Sequence, residues 1–412
     1  MEVFGFGARG VSTAGAQTTS TSGYHAVYYN PSRIITKPEA QVGLGTQLFL
    51  YNIEIERAVP DSPYPTTLPE QNVGFHFGTN TSFGGFAKDR IGIGLLFYAP
   101  LARGTRLEQK DARTPQAYMY QTLPDKMMLA AAVAGKIADG IYLGVGMQSL
   151  AKVGGTGEAS IFLEQSRVIK RSTGIDFGHQ IAPTAGVSAE FSNGTTVGAT
   201  YRAAVGFPYE LPLSMELVDI GQLGFTARGT TLWDPDIIDV GFSQAFPKHA
   251  LDISLAISLA LWSRAPAPNS IVEVELSDAS QNSDANQLLS VRSQPIDLGA
   301  QDILIPRAGL AWNPSPRWIV NSGYAFRPTP LPEATMAASY LDANTHIFGL
   351  GSEYILGYFD DATSPPMTIG LGMQWQRMTP RTSTKQDPDN PTGSLRFLGS
   401  AFTMTLEVHH NF

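Results

Sequence analysis

The feature of this sequence that most limits its fold is a strict alternation of apolar residues with small or polar ones. In residues 251–261 every odd position is Leu or Ile, and the positions between them are mostly Ser and Ala. Successive side chains of a β-strand point to opposite faces, so this segment forms a strand with one apolar face. The same period returns at residues 91–97, 141–147, 197–207 and 369–375. The alternation therefore predicts an all-β protein.

The face opposite the apolar one indicates which kind of β protein this is. It carries Gly, Ala, Ser, Thr and Gln in place of Lys and Glu, and only 16% of the chain is charged, against about 25% in an ordinary soluble domain. Apolar residues facing outward and small polar residues facing inward are typical of a transmembrane antiparallel β-barrel. A secreted β-sandwich or β-repeat protein remains the alternative.

Both ends of the chain agree with an outer-membrane barrel. Residues 402–412 place six alternating side chains on one face and finish with Phe412, as the closing strands of bacterial outer-membrane barrels do. The sequence has no apolar stretch of about 20 residues and no signal peptide led by Lys or Arg. We expect a multi-pass protein of the outer membrane of a Gram-negative bacterium, with the signal peptide absent from this chain.

Residues 1–40 depart from the alternating pattern. Gly, Ala, Ser and Thr dominate them, so the segment is too polar to cross lipid and too short to fold alone. We predict that residues 1–40 form a plug inside the lumen and that residues 41–412 form the barrel. Allowing about 27 residues for each strand and turn gives about fourteen strands, although twelve or sixteen remain possible.

The sequence lacks the features that several other functions would require. The formal net charge is −8 without a basic cluster, which argues against a nucleic-acid partner. The chain has no Cys, so thiol catalysis and Cys-ligated zinc are excluded. Gly5, Gly7 and Gly10 match a dinucleotide fingerprint but lack its strand and helix context. The seven His are scattered and no Gly-x-Ser-x-Gly motif is present. We expect no enzyme activity, no cofactor and no metal.

Several short motifs occur in the order found in one transporter family. Residues 5–10 (Gly-Phe-Gly-Ala-Arg-Gly), 14–16 (Ala-Gly-Ala) and 28–32 (Tyr-Tyr-Asn-Pro-Ser) are followed by matches at 97–101, 200–202, 323–332 and 340–346. Together they resemble the FadL family of outer-membrane transporters for long-chain fatty acids and other hydrophobic compounds. The resemblance covers nearly the whole chain, and Ser32 replaces the Ala that usually ends the Asn-Pro-Ala motif of the family.

The resemblance implies a fourteen-stranded barrel whose N-terminal hatch ends in the motif Asn30, Pro31 and Ser32. It also implies passive uptake of a hydrophobic molecule, such as a fatty acid, an alkane or an aromatic hydrocarbon. The ligand would be captured at an extracellular apolar groove and would leave sideways through a gap in the wall. Lateral exit suits an alkyl chain, because burying each CH₂ is worth about 0.8 kcal/mol. We expect a monomer surrounded by membrane lipid or detergent.

A different function class also fits the composition. A porin for small polar solutes, or a surface-binding barrel, would show the same alternation. An open porin has no need of a Gly-rich segment that blocks its own lumen. Uptake of a labelled fatty acid, compared with liposome swelling in sugars, separates the two functions.

The strand at residues 91–98 is the candidate for the gap in the wall. Pro100 has no N–H to donate to a neighbouring strand, and Gly92 and Gly94 allow bending or close approach. Pro100 could instead simply end the membrane part of the strand. The resemblance favours a lateral opening near residues 92–104, with the hatch that ends in Asn30 and Pro31 lying against this third strand. It leaves open whether the gap is gated.

Three basic residues lie on the small-residue face of their strands. Lys152, Arg202 and Arg307 are predicted to point into the lumen, where a cation could bind the carboxylate of a fatty acid. Lys152 resembles the carboxylate-binding residue of the family by its place in the strand order. In the alternative interpretation, lumen acids such as Glu190 or Asp302 neutralise these cations, which then serve only the barrel.

Overall fold

The computed structural model describes most of the chain. The described residues are 3–37, 39–84, 89–101, 111–120, 126–162, 167–217, 221–278, 287–334, 338–357, 366–386 and 392–412. Within them, the side chains of residues 151–162, 167–178, 215–217, 221–222, 231–232, 276–278 and 287–289 are outside the description. Strands make up 62% and helices 8%, so the predicted all-β class is confirmed.

The described residues form twenty strands and a few short helices. The strands are β1 (Gln41–Arg57), β2 (Asn72–Ser82), β3 (Ile91–Pro100), β4 (Gln116–Ala117), β5 (Met128–Ala138), β6 (Ile141–Phe162), β7 (Arg167–Glu190), β8 (Thr195–Arg202), β9 (Val205–Leu217), β10 (Gly221–Asp234), β11 (Ile237–Phe246), β12 (Leu251–Ala260), β13 (Ile271–Asp278), β14 (Gln287–Arg292), β15 (Ile303–Ser315), β16 (Trp318–Arg327), β17 (Tyr340–Leu341), β18 (Thr345–Leu356), β19 (Met367–Ser383) and β20 (Leu395–Asn411). The helices are α1 (Gly7–Ser12) and α2 (Ala26–Tyr29), with 3₁₀ turns at Gly23–His25, Pro31–Thr36, Pro247–His249 and Trp262–Arg264.

Fourteen of these strands close into an antiparallel barrel. Their order is β1, β2, β3, β5, β6, β7, β8, β11, β12, β15, β16, β18, β19 and β20. The last strand returns to the first, since β20 pairs with β1 from Asn411–Gln41 to Leu395–Arg57. Closure leaves no unpaired sheet edge to face lipid. The predicted barrel of fourteen strands is confirmed.

The two faces of the wall follow the sequence alternation. Leu255, Ile257 and Leu371 are outward and exposed, while Ala256 and Gln376 are buried on the lumen face. None of the helices in the described ranges has both the length and the apolar character needed to cross a membrane. The apolar outer face belongs to the strands.

The barrel has a short-turn end and a long-loop end. Two-residue turns join β5 to β6 and β15 to β16, whereas residues 203–236 and 261–302 separate other neighbouring strands at the opposite end. At the long-loop end, β9 pairs in parallel with the far part of β6 and continues into β10, β13 and β14. Long and short connections at opposite ends are typical of outer-membrane barrels.

Residues 3–37, here called the N-terminal segment, pack against the lumen face of the wall. Helix α1 lies on β18, β19 and β20 because glycines there allow its backbone to approach closely. A Cβ at Gly349 would lie 2.2 Å from the Ser12 carbonyl oxygen, and one at Gly372 would lie 2.3 Å from the Ala8 carbonyl oxygen. The small lumen-facing residues therefore make room for a peptide backbone.

The substitution Gly349→Ala tests this packing. We expect it to destabilise the docked segment by about 1–3 kcal/mol, since an overpacked contact forces the helix or the strand to move. Detergent-solubilised protein should show a lower midpoint of thermal unfolding and faster tryptic cleavage after Arg9. The matched control is Gly135→Ala on β5, where a Cβ would meet no atom nearer than 3.8 Å. Equal midpoints and cleavage rates for the two variants would contradict the close contact.

Candidate functional site

One buried carboxylate attaches the N-terminal segment to the barrel wall. Glu407 of β20 is 2% exposed, and its Oε2 accepts a hydrogen bond from the backbone N–H of Ala8 at 2.8 Å. Its Oε1 accepts the hydroxyl of Tyr24 at 2.7 Å and lies 2.9 Å from Nε2 of His25. Glu407 thus holds two separate parts of the segment, the start of α1 and residues 24–25.

Two imidazoles of the wall also lie near Glu407. Nε2 of His76 is 3.7 Å and Nδ1 of His409 is 3.3 Å from its carboxylate oxygens. The His76 ring is fully buried and lies 4.8 Å from the Phe6 ring of the segment, measured between centroids. No group of three or more His, Asp or Glu side chains in the described ranges is arranged to hold a metal ion. The cluster serves as an anchor for the segment.

The predicted hatch motif forms the second attachment. Asn30 Oδ1 accepts hydrogen bonds from the N–H and the hydroxyl of Ser32 at 3.1 and 2.7 Å, and Asn30 Nδ2 donates to the Thr18 carbonyl at 2.7 Å. The Ser32 hydroxyl lies 2.9 Å from the Ser188 hydroxyl on β7. Asn30 therefore connects two parts of the segment, and Ser32 connects the segment to the wall.

The motif docks on β6 and β7. A Cβ at Gly144 would lie 2.3 Å from the carbonyl carbon of Pro31, and one at Gly186 would lie 2.1 Å from Asn30 Oδ1. The glycines of β6 and β7 give this backbone its room. The 3₁₀ turn Pro31–Thr36, which begins in the motif, also contacts the third strand, and Val27 of the same segment lies there too.

Strand β3 is the third strand of the barrel and carries the residues proposed for a lateral opening. Gly92 and Gly94 face the lumen, where an added Cβ would lie 3.2 Å from Ile35 and 2.5 Å from Val27 respectively. Pro100 ends the strand. All three residues lie on the lumen face, and the two glycines lie under the N-terminal segment.

The backbone of β3 is paired to both neighbouring strands. Its register with β2 runs unbroken from Ser82–Gly92 to Gly74–Pro100. On the other side the register with β5 runs from Gly135–Ile91 to Met128–Tyr98. The pairing with β5 thus ends two residues before Pro100. Residues 121–125, which precede β5, lie outside the described residues, as do residues 102–104 of the proposed opening.

Two small cavities lie between the N-terminal segment and the long loops. One is lined by Tyr28, Met128, Leu150 and Val205 together with Lys126 and Arg202. The other is lined by Val3, Met119, Trp262, Ile303, Ile305 and Ile347 together with Arg307 and Arg327. Both are bounded by Asp234, Pro235 and Ile237. Each has a volume of about 20 Å³, close to the space that one water needs. We call them the lumen cavities.

A segment of the connection between β3 and β5 borders the second lumen cavity. Residues 111–120, here called the cap, include β4, which pairs in parallel with β17. The Tyr118 N–H donates to the Leu341 carbonyl at 2.9 Å, and the Gln116 N–H donates to the Ser339 carbonyl at 3.1 Å. Met119 and Tyr120 point inward and are 2% and 1% exposed. The backbone of β17 and of the neighbouring Ser339 thus holds the cap in place.

The cations beside the first cavity have acidic partners. Nζ of Lys126 lies 2.7 Å from Asp234, and burial lowers the pKa of this ammonium while the Asp234 carboxylate opposes that shift. Arg202 lies 3.5 Å from Asp239, with its guanidinium carbon 4.6 Å from the centroid of the Tyr28 ring. The alternative of neutralised lumen cations therefore describes Arg202, with Asp239 as the acid.

The other predicted lumen residues have different surroundings. Arg307 is 7% exposed and donates to the Ala14 carbonyl at 2.9 Å and to the Ser258 hydroxyl at 3.2 Å. Lys152 lies in β6 by its backbone, and its side chain is outside the described residues. The structure therefore does not bring the three predicted cations to one described position.

The two acids named for neutralisation have other partners. Glu190 pairs with Arg33 of the N-terminal segment at 2.5 Å. Asp302 accepts the backbone N–H of Ser263 at 2.9 Å.

Sequence reasoning missed the cap and the buried ion pairs. Residues 111–120 show no alternation, and their signal is limited to the Tyr-Met-Tyr cluster at 118–120. Arg327 and Asp342 form a two-point pair at 2.8 and 3.0 Å. Arg327 lies in the 323–332 match and Asp342 in the 340–346 match, so the family resemblance could have drawn attention to this pair.

The chain is similar to hydrocarbon transporters, although no family model matches it. Alkane uptake protein A of Marinobacter nauticus is 23% identical over 413 residues, which cover 95% of this chain and 86% of that protein. A FadL homologue of Pseudomonas aeruginosa has a TM-score of 0.62 at 13% identity, covering 98% of this chain and 97% of the other. The toluene transporter TodX of P. putida has a TM-score of 0.59 at 14% identity, covering 100% and 99%.

These likenesses show the fold of the chain. It is the β-barrel fold of FadL-type outer-membrane transporters, and the predicted resemblance to that family is confirmed. The three matched proteins are a transporter homologue, a transporter and an uptake protein, in agreement with the prediction that this chain is not an enzyme.

The substitution Glu407→Ala tests the anchor of the N-terminal segment. It leaves the Ala8 N–H and the Tyr24 hydroxyl without their acceptor, at a cost of about 1–3 kcal/mol for each buried group. We expect amide hydrogen exchange at Ala8 to become at least about fivefold faster, while exchange in the β1–β20 ladder stays slow. Glu54→Ala, at an exposed position of β1, is the control. Unchanged exchange at Ala8 would show that Glu407 is not the anchor.

Proposed function

We propose that this protein is an outer-membrane channel for passive uptake of uncharged hydrophobic molecules. In this proposal residues 1–40 act as a hatch within the barrel of residues 41–412, which works as a monomer. The short-turn end would face the periplasm and the long-loop end the outside of a Gram-negative cell, as in outer-membrane barrels generally. The fold and the largely apolar lining of the lumen cavities support this assignment.

The observation that carries the proposal is the lining of the lumen cavities. Most side chains that line one of them are apolar, among them Val3, Met119, Trp262 and Ile347, although Asp234, Arg307 and Arg327 also border it. Such a lining favours an alkyl chain or an aromatic ring over a hydrated solute. A porin for polar solutes needs a continuous wet lumen, which a hatch and a cap in mutual contact oppose.

The charges beside the cavities favour a neutral substrate. A fatty-acid carboxylate at Lys126 or Arg202 would have to displace Asp234 or Asp239. Removing one partner of a buried ion pair costs about 3–5 kcal/mol. An alkane or an aromatic hydrocarbon requires no such exchange, and the names of the alkane uptake protein and the toluene transporter agree with this class. Carboxylate binding at Lys152, Arg202 and Arg307 remains the alternative proposal.

A lateral exit is supported by the position of the first cavity. Met128 lines it and is also the last registered partner of β3, opposite Tyr98. Pro100 lies two residues beyond this pair and has no N–H for a further hydrogen bond. Parting of the wall would start at this point with the fewest backbone bonds broken. We propose that the ligand leaves here, near residues 92–104, into the outer leaflet.

The substrate class can be tested with purified protein in liposomes. We expect faster entry of radiolabelled dodecane or toluene than in protein-free liposomes, and no swelling in sugar solutions. Arg202→Met together with Asp239→Leu should retain hydrocarbon entry, because the pair has no charged ligand to bind. The fatty-acid alternative would be favoured if the parent protein admits palmitate, the double variant does not, and hydrocarbon enters no faster than into protein-free liposomes. Swelling in sugars would identify a porin.

The exit route can be tested by locking the wall. Phe97→Cys with Leu129→Cys places two thiols on a registered, outward-facing pair of β3 and β5, in a chain that has no other Cys. We expect oxidation to reduce hydrocarbon uptake at least about tenfold and reduction of the disulfide to restore it. Leu350→Cys with Met373→Cys makes the same lock between β18 and β19 and should leave uptake unchanged. Full uptake with the first lock formed would exclude this exit.

A further inference from the structure

A single buried side chain joins the cap to the N-terminal segment. Gln376 of β19 is 0% exposed and lies on the lumen face. Its Oε1 accepts a hydrogen bond from the Tyr120 hydroxyl of the cap at 2.9 Å. Its Nε2 donates to the backbone carbonyl of Val3 at 2.6 Å. One amide therefore contacts both elements that enclose the second lumen cavity.

The two elements that Gln376 contacts both border the same cavity. Val3 and Met119, the neighbour of Tyr120, both line it. The two elements also touch directly, since the rings of Phe4 and Tyr120 lie 6.0 Å apart in an edge-to-face arrangement. Any hydrophobic molecule larger than a water must push these elements apart to occupy the cavity.

The surroundings of Gln376 fix its orientation. Tyr120 also accepts a hydrogen bond from Arg327 Nη2 at 3.2 Å, and Arg327 is held by Asp342. Burial raises the pKa of the Tyr120 phenol, so the hydroxyl keeps its proton and donates to the Gln376 oxygen. With its oxygen occupied in this way, Gln376 must present its NH₂ group to Val3. The Gln374 amide adds a longer bond to the same carbonyl at 3.3 Å.

We propose that Gln376 is a positioning residue that keeps the cavity closed from both sides and makes the cap and the N-terminal segment open together. This inference rests on the proposed function, because it specifies how the uptake route is held shut. Displacing Tyr120 leaves the Gln376 oxygen without its donor and lets the amide turn away from Val3. Loss of the contact on one side therefore weakens the contact on the other.

Two reporter positions allow the coupling to be measured in the Cys-free chain. Met119→Cys reports on the cap and Val3→Cys on the segment, and both native side chains are buried. The rate of modification by a small maleimide in detergent is measured for each reporter. The test variants are Tyr120→Phe, Gln376→Met and the two combined. Tyr118→Phe is the matched control, because its ring contacts Trp262 and Tyr340 at 6.2 and 5.8 Å without entering the Gln376 contacts.

We expect Tyr120→Phe and Gln376→Met each to raise the modification rate at both reporters by about two- to tenfold, as loss of one buried hydrogen bond implies. The combined variant should be modified at the same rates as Gln376→Met, since both changes break the same set of hydrogen bonds between Tyr120, Gln376 and Val3. Tyr118→Phe should leave both rates as in the parent. If Tyr120→Phe raises the rate only at residue 119, or if the effects of the two changes multiply, the coupling is refuted.

A second readout separates this inference from the proposed function. The same variants are assayed for toluene entry into liposomes, and Gln376→Met should raise the entry rate about two- to tenfold. If the parent protein admits no hydrocarbon, the proposed function fails while the modification rates still decide the coupling. If hydrocarbon enters normally and the modification rates at residues 3 and 119 change independently, the proposed role of Gln376 is refuted and the proposed function stands.

Discussion

The closing ladder between β20 and β1 is the constraint on which the rest of this structure depends. It runs from Asn411–Gln41 to Leu395–Arg57 without a break in register. An unpaired backbone group in hydrocarbon costs several kcal/mol, so a sheet edge cannot be left open there. Closing fourteen strands fixes a lumen too wide for the side chains of the wall to fill. The N-terminal segment occupies that volume.

Filling a lumen with polypeptide creates a second hydrogen-bonding requirement. The segment is mostly short helices and turns, whose free N–H and C=O groups need partners inside the barrel. Glu407 accepts from Ala8, and Gln376 donates to Val3. Wall glycines such as Gly349 bring the backbones close enough for these contacts. The small polar face thus packs against the backbone of the N-terminal segment.

The sequence predicted the barrel because alternation is a local property that survives at every strand. It predicted the lumen position of Arg202 and Arg307 for the same reason, since parity fixes the face. Parity says nothing about partners far apart in the chain, such as Lys126 with Asp234. Parity likewise could not show that Asn30 and Pro31 lie over the glycines of β6 and β7. Where a plug without periodicity docks is decided by where the wall leaves space.

The small size of the lumen cavities has a consequence for the proposed uptake. Each is about 20 Å³, too small for a hydrocarbon, so uptake through them would need a state in which the cap, the segment or the wall has moved. The strand ladders resist motion because each broken backbone bond exposes two groups to lipid. The cap and the segment are held by the short pairing of β4 with β17 and by a few side chains, among them Gln376. In the proposed route, rearrangement within the lumen should therefore come first, and the wall should part only beyond Tyr98, where the registered pairing of β3 with β5 ends.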